Sequence, residues 1–207
     1  YQKDYDSLRP HFENLFDPVK LLPELEFDRV EVAPDRARAR GAELSLIRQD
    51  GGPWSWWASY AWARVTDRID GRDVPRSWDQ THTVNAGLRY AGERWDFTLA
   101  DTWHSGWPTT ALYVVDGGIA PDTVQAGERN ADNFSSYNSL DLRVARRFEL
   151  PDSELEAFFE VTGALAQGNE CCVEYDVLDL GSGELALDKD IDEWPPIIPS
   201  LGVLWRF

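Results

Sequence analysis

The sequence contains no methionine, and its only two cysteines are adjacent. Without Met, Tyr1 is not a translation start. The chain is therefore expected to be a processed or excised piece, with any signal peptide or upstream domain lying outside it. Neighbouring cysteines cannot supply a CxxC-type zinc spacing. A trans peptide holds the Cα atoms of Cys171 and Cys172 about 3.8 Å apart, closer than the roughly 4.4–6.8 Å of an ordinary disulfide. A strained bridge capping a loop and two thiols both remain open readings. Long apolar runs are missing too: none approaches the roughly 18 residues of a helical membrane span. That excludes a helical membrane protein but is blind to barrels, whose strands alternate. Basic residues are scarce. The 20 Lys and Arg against 37 Asp and Glu leave a net charge of −17, which sets aside nucleic acid as a partner.

Aromatics are abundant: 10 Trp, 7 Tyr and 9 Phe, too many for a disordered acidic chain. Their spacing is that of strands. In Trp54 to about Thr66, the residues Trp54, Trp56, Ala58, Tyr60 and Trp62 share one face. At about 3.3 Å per residue and a tilt near 40°, Trp54 to Trp62 spans about 20 Å, close to the roughly 25 Å band that aromatic girdles bracket. The same alternation marks Arg38–Gln49, Thr81–Tyr90, Trp95 to about Trp103, Tyr137–Phe148, Leu155–Val161 and the terminal Pro199–Phe207. Tyr1–Lys3 reads as the end of an eighth strand. In the terminal stretch Leu201, Val203, Trp205 and Phe207 form a stripe that stays apolar to the last residue. A soluble chain end is usually polar and frayed, so the stripe points to a barrel with lipid outside it; an ordinary core strand is the alternative.

Two regularities set the fold class. Connections alternate between long (4–37, 67–79, 111–136, 164–196) and short (50–53, 91–94, 149–153), as in an up-and-down membrane barrel with short periplasmic turns. The long ones read as irregular, with a helical turn near Pro10–Phe16 and an acidic loop over 164–196. The face opposite the apolar stripe carries Glu43, Asn85, Arg89, Asp141, Arg143, Glu156 and Glu160, which are costly in a dry core and natural in a wet lumen. The expectation is an all-β, antiparallel, up-and-down transmembrane β-barrel segment. Eight strands suffice for a small closed barrel, but the truncated start and the long loops fit the end of a larger one.

Several stretches carry a resemblance: Leu8-Arg-Pro-His-Phe-Glu-Asn14 with Leu22-Pro-Glu24, Ala39-Arg-Gly-Ala-Glu-Leu44, Ser59-Tyr-Ala-Trp62, Pro75-Arg-Ser-Trp-Asp-Gln-Thr-His82, Ser105-Gly-Trp-Pro-Thr109, Leu140-Asp-Leu-Arg143 and the strand ending at Phe207. In this order and spacing the chain resembles the C-terminal part of TonB-dependent outer-membrane receptors. It departs at Thr162-Gly-Ala-Leu165, where these receptors commonly carry an Asn-Leu pair. The resemblance implies that residues 1–207 are about seven to eight strands of one barrel of about 22, with the earlier strands and the N-terminal plug domain absent. It implies a place in the outer membrane of a Gram-negative bacterium. The function it implies is energy-coupled uptake of a scarce substrate such as a ferric siderophore. The implied partners are outer-membrane lipid, the barrel assembly machinery acting on Leu201, Val203, Trp205 and Phe207, TonB acting through the missing N-terminal region, and the small-molecule substrate.

No catalytic constellation stands out, and no enzyme, cofactor or resident metal is expected. His11, His82 and His104 are dispersed, as solvated or girdle histidines would be. Asp188-Lys-Asp-Ile-Asp-Glu193 begins like a calcium loop but has Glu193 and Pro199 where an EF-hand needs Gly and Glu. Arg76, Trp78, His104 and Trp107 fall at outer strand ends and are the candidates for ligand capture. The rivals are a soluble β-rich carbohydrate-binding module, which would gather its aromatics in one planar patch, and an outer-membrane lipase or protease, which would need a nucleophile and base.

Overall fold

A computed structural model describes residues 1–16, 25, 28–118 and 120–207. It contains β1 (Gln2–Asp6), β2 (His11–Asn14), β3 (Arg29–Val32), β4 (Arg36–Arg48), β5 (Trp54–Ile69), β6 (Arg72–Pro75), β7 (His82–Ala91), β8 (Trp95–His104) and β9 (Pro108–Thr109). These are followed by β10 (Leu112–Val115), β11 (Thr123–Ala126), β12 (Asp132–Asn133), β13 (Tyr137–Leu150), β14 (Ser153–Thr162), β15 (Glu170–Gly181), β16 (Glu184–Glu193) and β17 (Ile198–Arg206). Among the described residues there is no helix.

The main sheet runs β1-β4-β5-β7-β8-β13-β14-β17, with β6 folded back on β5. Every pairing is antiparallel, and spatial order follows sequence order, so the wall is up-and-down. β1 and β17 do not pair with each other. The eight strands form an open segment of a barrel wall, not a small closed barrel.

Register explains the two faces. Trp54 lies opposite Tyr90, Tyr90 opposite Phe97, Phe97 opposite Val144, Val144 opposite Phe159, and Phe159 opposite Leu201. Two residues further along, Trp56, Leu88, Leu99 and Leu142 form the next apolar row. Because side chains alternate, residues paired across the sheet stay on one face, so each of these rows lies on the same side throughout. Most of its large side chains stand exposed, from Leu99 at 38% to Leu201 at 81%, while Trp56, Tyr90 and Val144 are half-buried among them. On the opposite face two aromatics lie flat over glycines paired with them. A Cβ at Gly87 would come within 2.0 Å of the Trp57 ring, and one at Gly202 within 2.1 Å of the Phe158 ring.

The long connections are more ordered than their composition suggests. The expected helical turn near Pro10–Phe16 is instead β2, because His11–Asn14 pairs with Arg29–Val32. Asn14 and the Phe16 amide both donate to the Asp28 carboxylate, closing that hairpin. Residues 4–6 and 36–37, expected in the loop, continue the wall, with Asp6 opposite Arg36. The 67–79 stretch contains the β5–β6 hairpin, turned by Asp70-Gly71 with φ of 47° and 75°, the type I′ geometry that suits twisted strands. The acidic 164–196 stretch is mostly the β15–β16 hairpin, turned by Ser182-Gly183 with φ of 58° and 85°. The piece Leu22–Glu24 lies outside the described residues. A small core of Phe16, Phe134, Val173 and Tyr175, flanked by Leu15, Trp107 and Leu112, binds these connections into a cap at the long-loop end of the wall. The Val173 amide donates to the Phe16 carbonyl at 3.1 Å, so two of the long connections are tied directly.

Candidate functional site

Glu43, Asn85, Arg89, Asp141, Arg143, Glu156 and Glu160 all fall on the face opposite the apolar rows. Register links several of them: Arg89 lies opposite Thr98, Thr98 opposite Arg143, Arg143 opposite Glu160, and Glu160 opposite Ser200. Arg143 donates to Glu160 at 2.7 Å and to Glu156 at 2.9 Å, and its guanidinium sits 4.6 Å from the Phe158 ring. Arg89 forks onto Asp96, and Thr102 donates to Asn85. Asp141 accepts from Ser139 and from the Gly163 amide. This face is thus a self-satisfied polar surface in which most charges have a partner across a strand, as partly buried charges require.

Three of the four capture candidates meet at the long-loop end. Trp107 lies 5.0 Å from the His104 ring and 5.8 Å from Trp78. His104 stacks on Tyr137 at 4.8 Å with an interplanar angle of 2° and donates from Nδ1 to the Ser105 carbonyl. Trp78 keeps 48% of its surface exposed, while the Trp107 Nε1 is buried with no hydrogen-bond partner among the described residues. Arg76 is turned elsewhere: its Nε donates to the buried Asp67 carboxylate at 3.0 Å, and that bond keeps its guanidinium firmly protonated. Tyr137 was not among the candidates, because its place beside His104 arises from the β8–β13 register and has no local signature. Burial pushes the neighbouring Asp79 carboxyl up from its usual range against the bonds it accepts from the Val65 amide and Thr81.

A polar latch beside this corner also lacks a sequence signature. Glu13 of β2 accepts from Ser77 at 2.8 Å and from Arg129, 116 residues away. Asn130 completes it, donating to the Pro75 carbonyl at 2.7 Å. Burial alone would raise the Glu13 carboxyl, but the Arg129 charge and the bonds to His11 and Ser77 outweigh it and hold the group below its usual range. A polar cavity of about 540 Å³ opens nearby between the β9–β12 strands and the β15–β16 hairpin, lined among others by Thr109, Asp132, Glu170, Tyr175 and Lys189.

The stretch resembling a calcium loop, Asp188–Glu193, is part of strand β16. Asp188, Asp190 and Asp192 therefore alternate with Lys189 and Ile191 along an extended backbone and do not wrap around an ion. Among the described residues, no three His, Cys, Asp or Glu side chains converge to hold a metal. Cys171 is buried and Cys172 half-buried, at a register shift in β15, with their sulfurs 2.6 Å apart. No helix among the described residues is long and apolar enough to cross a membrane, which says nothing of crossing by strands.

No curated protein matches the chain. Residues 10–162, from just before β2 to the end of β14, match a family model described as TonB dependent receptor-like, beta-barrel. Members of that family are transporters of the Gram-negative outer membrane, not enzymes. With well over half its length matched, and with an open antiparallel wall that is apolar on one face and charged on the other, the chain belongs to the TonB-dependent receptor β-barrel family.

Proposed function

We propose that residues 1–207 are the C-terminal part of the barrel of an outer-membrane receptor that takes up a scarce small substrate of the ferric-siderophore class. In this reading the apolar rows face lipid. The face bearing Glu43, Asn85, Arg89, Asp141, Arg143, Glu156 and Glu160 lines the lumen, and a plug and a TonB-contacting segment are supplied by a region beyond this sequence. The observation that carries the reading is the uncovered apolar face: Leu88, Leu99, Leu142, Phe97, Leu201 and Trp205 are all at least 38% exposed. Burying one such side chain is worth about 1.5–3 kcal/mol, so a sheet that leaves a whole face of them bare needs hydrocarbon against it. A carbohydrate-binding module would instead pack that face on a second layer and gather its rings in one patch; here they are spread along the strands.

Trp78 and Trp107, with His104 and Tyr137 behind them, form the aromatic rim where substrate first docks, and Arg76 shapes the loop that presents Trp78. The β17 stripe of Leu201, Val203, Trp205 and Phe207 is the segment the barrel assembly machinery engages. The experiment is uptake by the full receptor in cells lacking their own siderophore receptors. Accumulation of labelled iron from a panel of ferric siderophores, abolished by removing TonB, is expected. Absence of TonB-dependent accumulation across the panel would refute the substrate class. Full uptake by a Trp78→Ala, Trp107→Ala double variant would remove the rim from the site.

A further inference from the structure

We propose that the apolar face carries a specific site for one glycerophospholipid of the leaflet at the short-turn end, whose headgroup bears both a phosphate and an ammonium. The site has two contiguous parts. A shallow apolar groove of about 520 Å³ spans β5, β7, β8 and β13 over Trp54, Leu88, Tyr90, Phe97, Leu99 and Leu142. One row beyond Phe97 and Val144, towards the short turns, Arg146 lies opposite Trp95. There, at the short-turn rim where side chains of both faces meet, a second pocket of about 380 Å³ opens, lined by Glu93, Arg94, Arg146, Arg147, Glu149 and Glu154 among others.

Arg146 is the residue that needs explaining. It sits on the apolar stripe, between Val144 and Phe148, where its neighbours in register are hydrophobic. Its guanidinium carbon lies 5.2 Å from the Trp95 ring and 4.9 Å from the Phe148 ring. These contacts fix its direction, but they leave its five N–H donors without an oxygen among the described residues. Among the described residues Arg146 forms no ion pair and donates no side-chain hydrogen bond. Several arginines of the wall are matched, Arg48 by Asp50, Arg89 by Asp96, Arg143 by Glu156 and Glu160, and Arg206 by Glu154. Arg40, at the long-loop end, also lies over a ring, 5.8 Å from Trp62, but among the described residues no pocket of mixed charge adjoins it. A guanidinium at the edge of the hydrocarbon, held between two rings and lacking an acceptor, is a phosphate site.

The second pocket narrows the headgroup. Arg147 is spent on the Gly92 carbonyl and Glu154 on Arg206. What remains for a ligand is Arg94 and Arg146 against Glu93 and Glu149, two cations and two anions. That balance suits a zwitterion, with its phosphate on Arg146 and Arg94 and its ammonium on the carboxylates of the two turns. A purely anionic headgroup would meet Glu93 and Glu149 with like charge. The acyl chain follows the groove towards Leu88, Leu99 and Leu142. The proposal rests on the reading that the apolar face meets lipid.

The test is native mass spectrometry of the full receptor in neutral detergent, titrated separately with an ethanolamine phospholipid, a glycerol phospholipid, diacylglycerol and inorganic phosphate. One ethanolamine phospholipid is expected to be retained preferentially. Arg146→Gln should weaken its retention about tenfold, the effect of one charge-assisted hydrogen bond; Arg146→Lys should restore part of it; and Val144→Trp, which fills the groove, should weaken it with the arginine intact. The double variant Glu93→Gln, Glu149→Gln should shift preference towards the glycerol headgroup. Equal retention by wild type and Arg146→Gln overturns the site, as does saturation by inorganic phosphate with no gain from the acyl chains. Failure of the lipid-facing reading looks different: the receptor would stay soluble without detergent and retain none of the lipids.

Discussion

The wall and the cap are built from one chain by opposite rules. In the wall, order comes from the seven ladders that join its eight strands, and the apolar side chains point away from the protein at a solvent the protein does not supply. In the cap, the strands are short or two-stranded, and the chain buries its own small core of Phe16, Phe134, Val173 and Tyr175, tied off by the Glu13–Arg129–Ser77 latch. The cap follows the logic of a water-soluble domain and the wall that of a membrane. The difference teaches where each part is fragile. The wall should fail when its outer face is given charge, and the cap when its inside is given space.

The largest effect should come from emptying the cap. Phe134→Ala is expected to cost about 3 kcal/mol locally. Hydrogen exchange at the Val173 amide, which bonds the Phe16 carbonyl, should speed up, while the ladder amides of β8 and β13 stay protected. If both sets speed up together, the cap and the wall are one cooperative unit. The next test inverts the chemistry. Leu142→Arg in the middle apolar row should destabilise the lipid-embedded receptor by about 2–3 kcal/mol. Leu180→Arg, on the exposed β15 of the cap, should change it by less than about 0.5 kcal/mol. Urea unfolding from vesicles reads both, and equal costs would mean that wall and cap obey one rule. The smallest effect is one of pH. The folded Glu13 carboxyl titrates below its unfolded value of about 4.5. The latch therefore contributes fully above that pH and is lost as pH falls through the lower folded value. Protease sensitivity of the cap should rise in that acid window, and Glu13→Gln should make it independent of pH there.

The wall was open to reading from sequence because a ladder repeats its pattern. Trp54 to Trp62, Val84 to Tyr90 and Leu201 to Phe207 each show a period of two, and their strands begin and end within a few residues of the expected bounds. The cap resisted for two physical reasons. In β15 and β16 the acidic residues Asp176, Asp188, Asp190 and Asp192 lower the mean hydropathy to that of a loop. The usable signal was the alternation of Val173, Tyr175 and Val177 before Gly181-Ser182-Gly183. The latch, in turn, joins Glu13 to Arg129 across 116 residues, and such a pairing leaves no local trace. The capture candidates fall between these extremes. Trp78, His104 and Trp107 were found by their place at strand ends, whereas Tyr137 and the diversion of Arg76 to Asp67 follow from tertiary register and burial.

The flat contacts of Trp57 on Gly87 and Phe158 on Gly202 bear on how the strands avoid sliding past one another. A slip of one residue is forbidden by alternation, since it would turn leucines onto the charged face. A slip of two keeps every face correct, and alternation cannot detect it. The rings can: moved two places, Phe158 would settle on Ser200 or Leu204 instead of the bare backbone of Gly202, and Trp57 on Asn85 or Arg89 instead of Gly87. Each ring and its glycine act as a detent. Together they set the stagger between adjacent strands, and with it the tilt and bore that this part of the wall imposes on the whole cylinder.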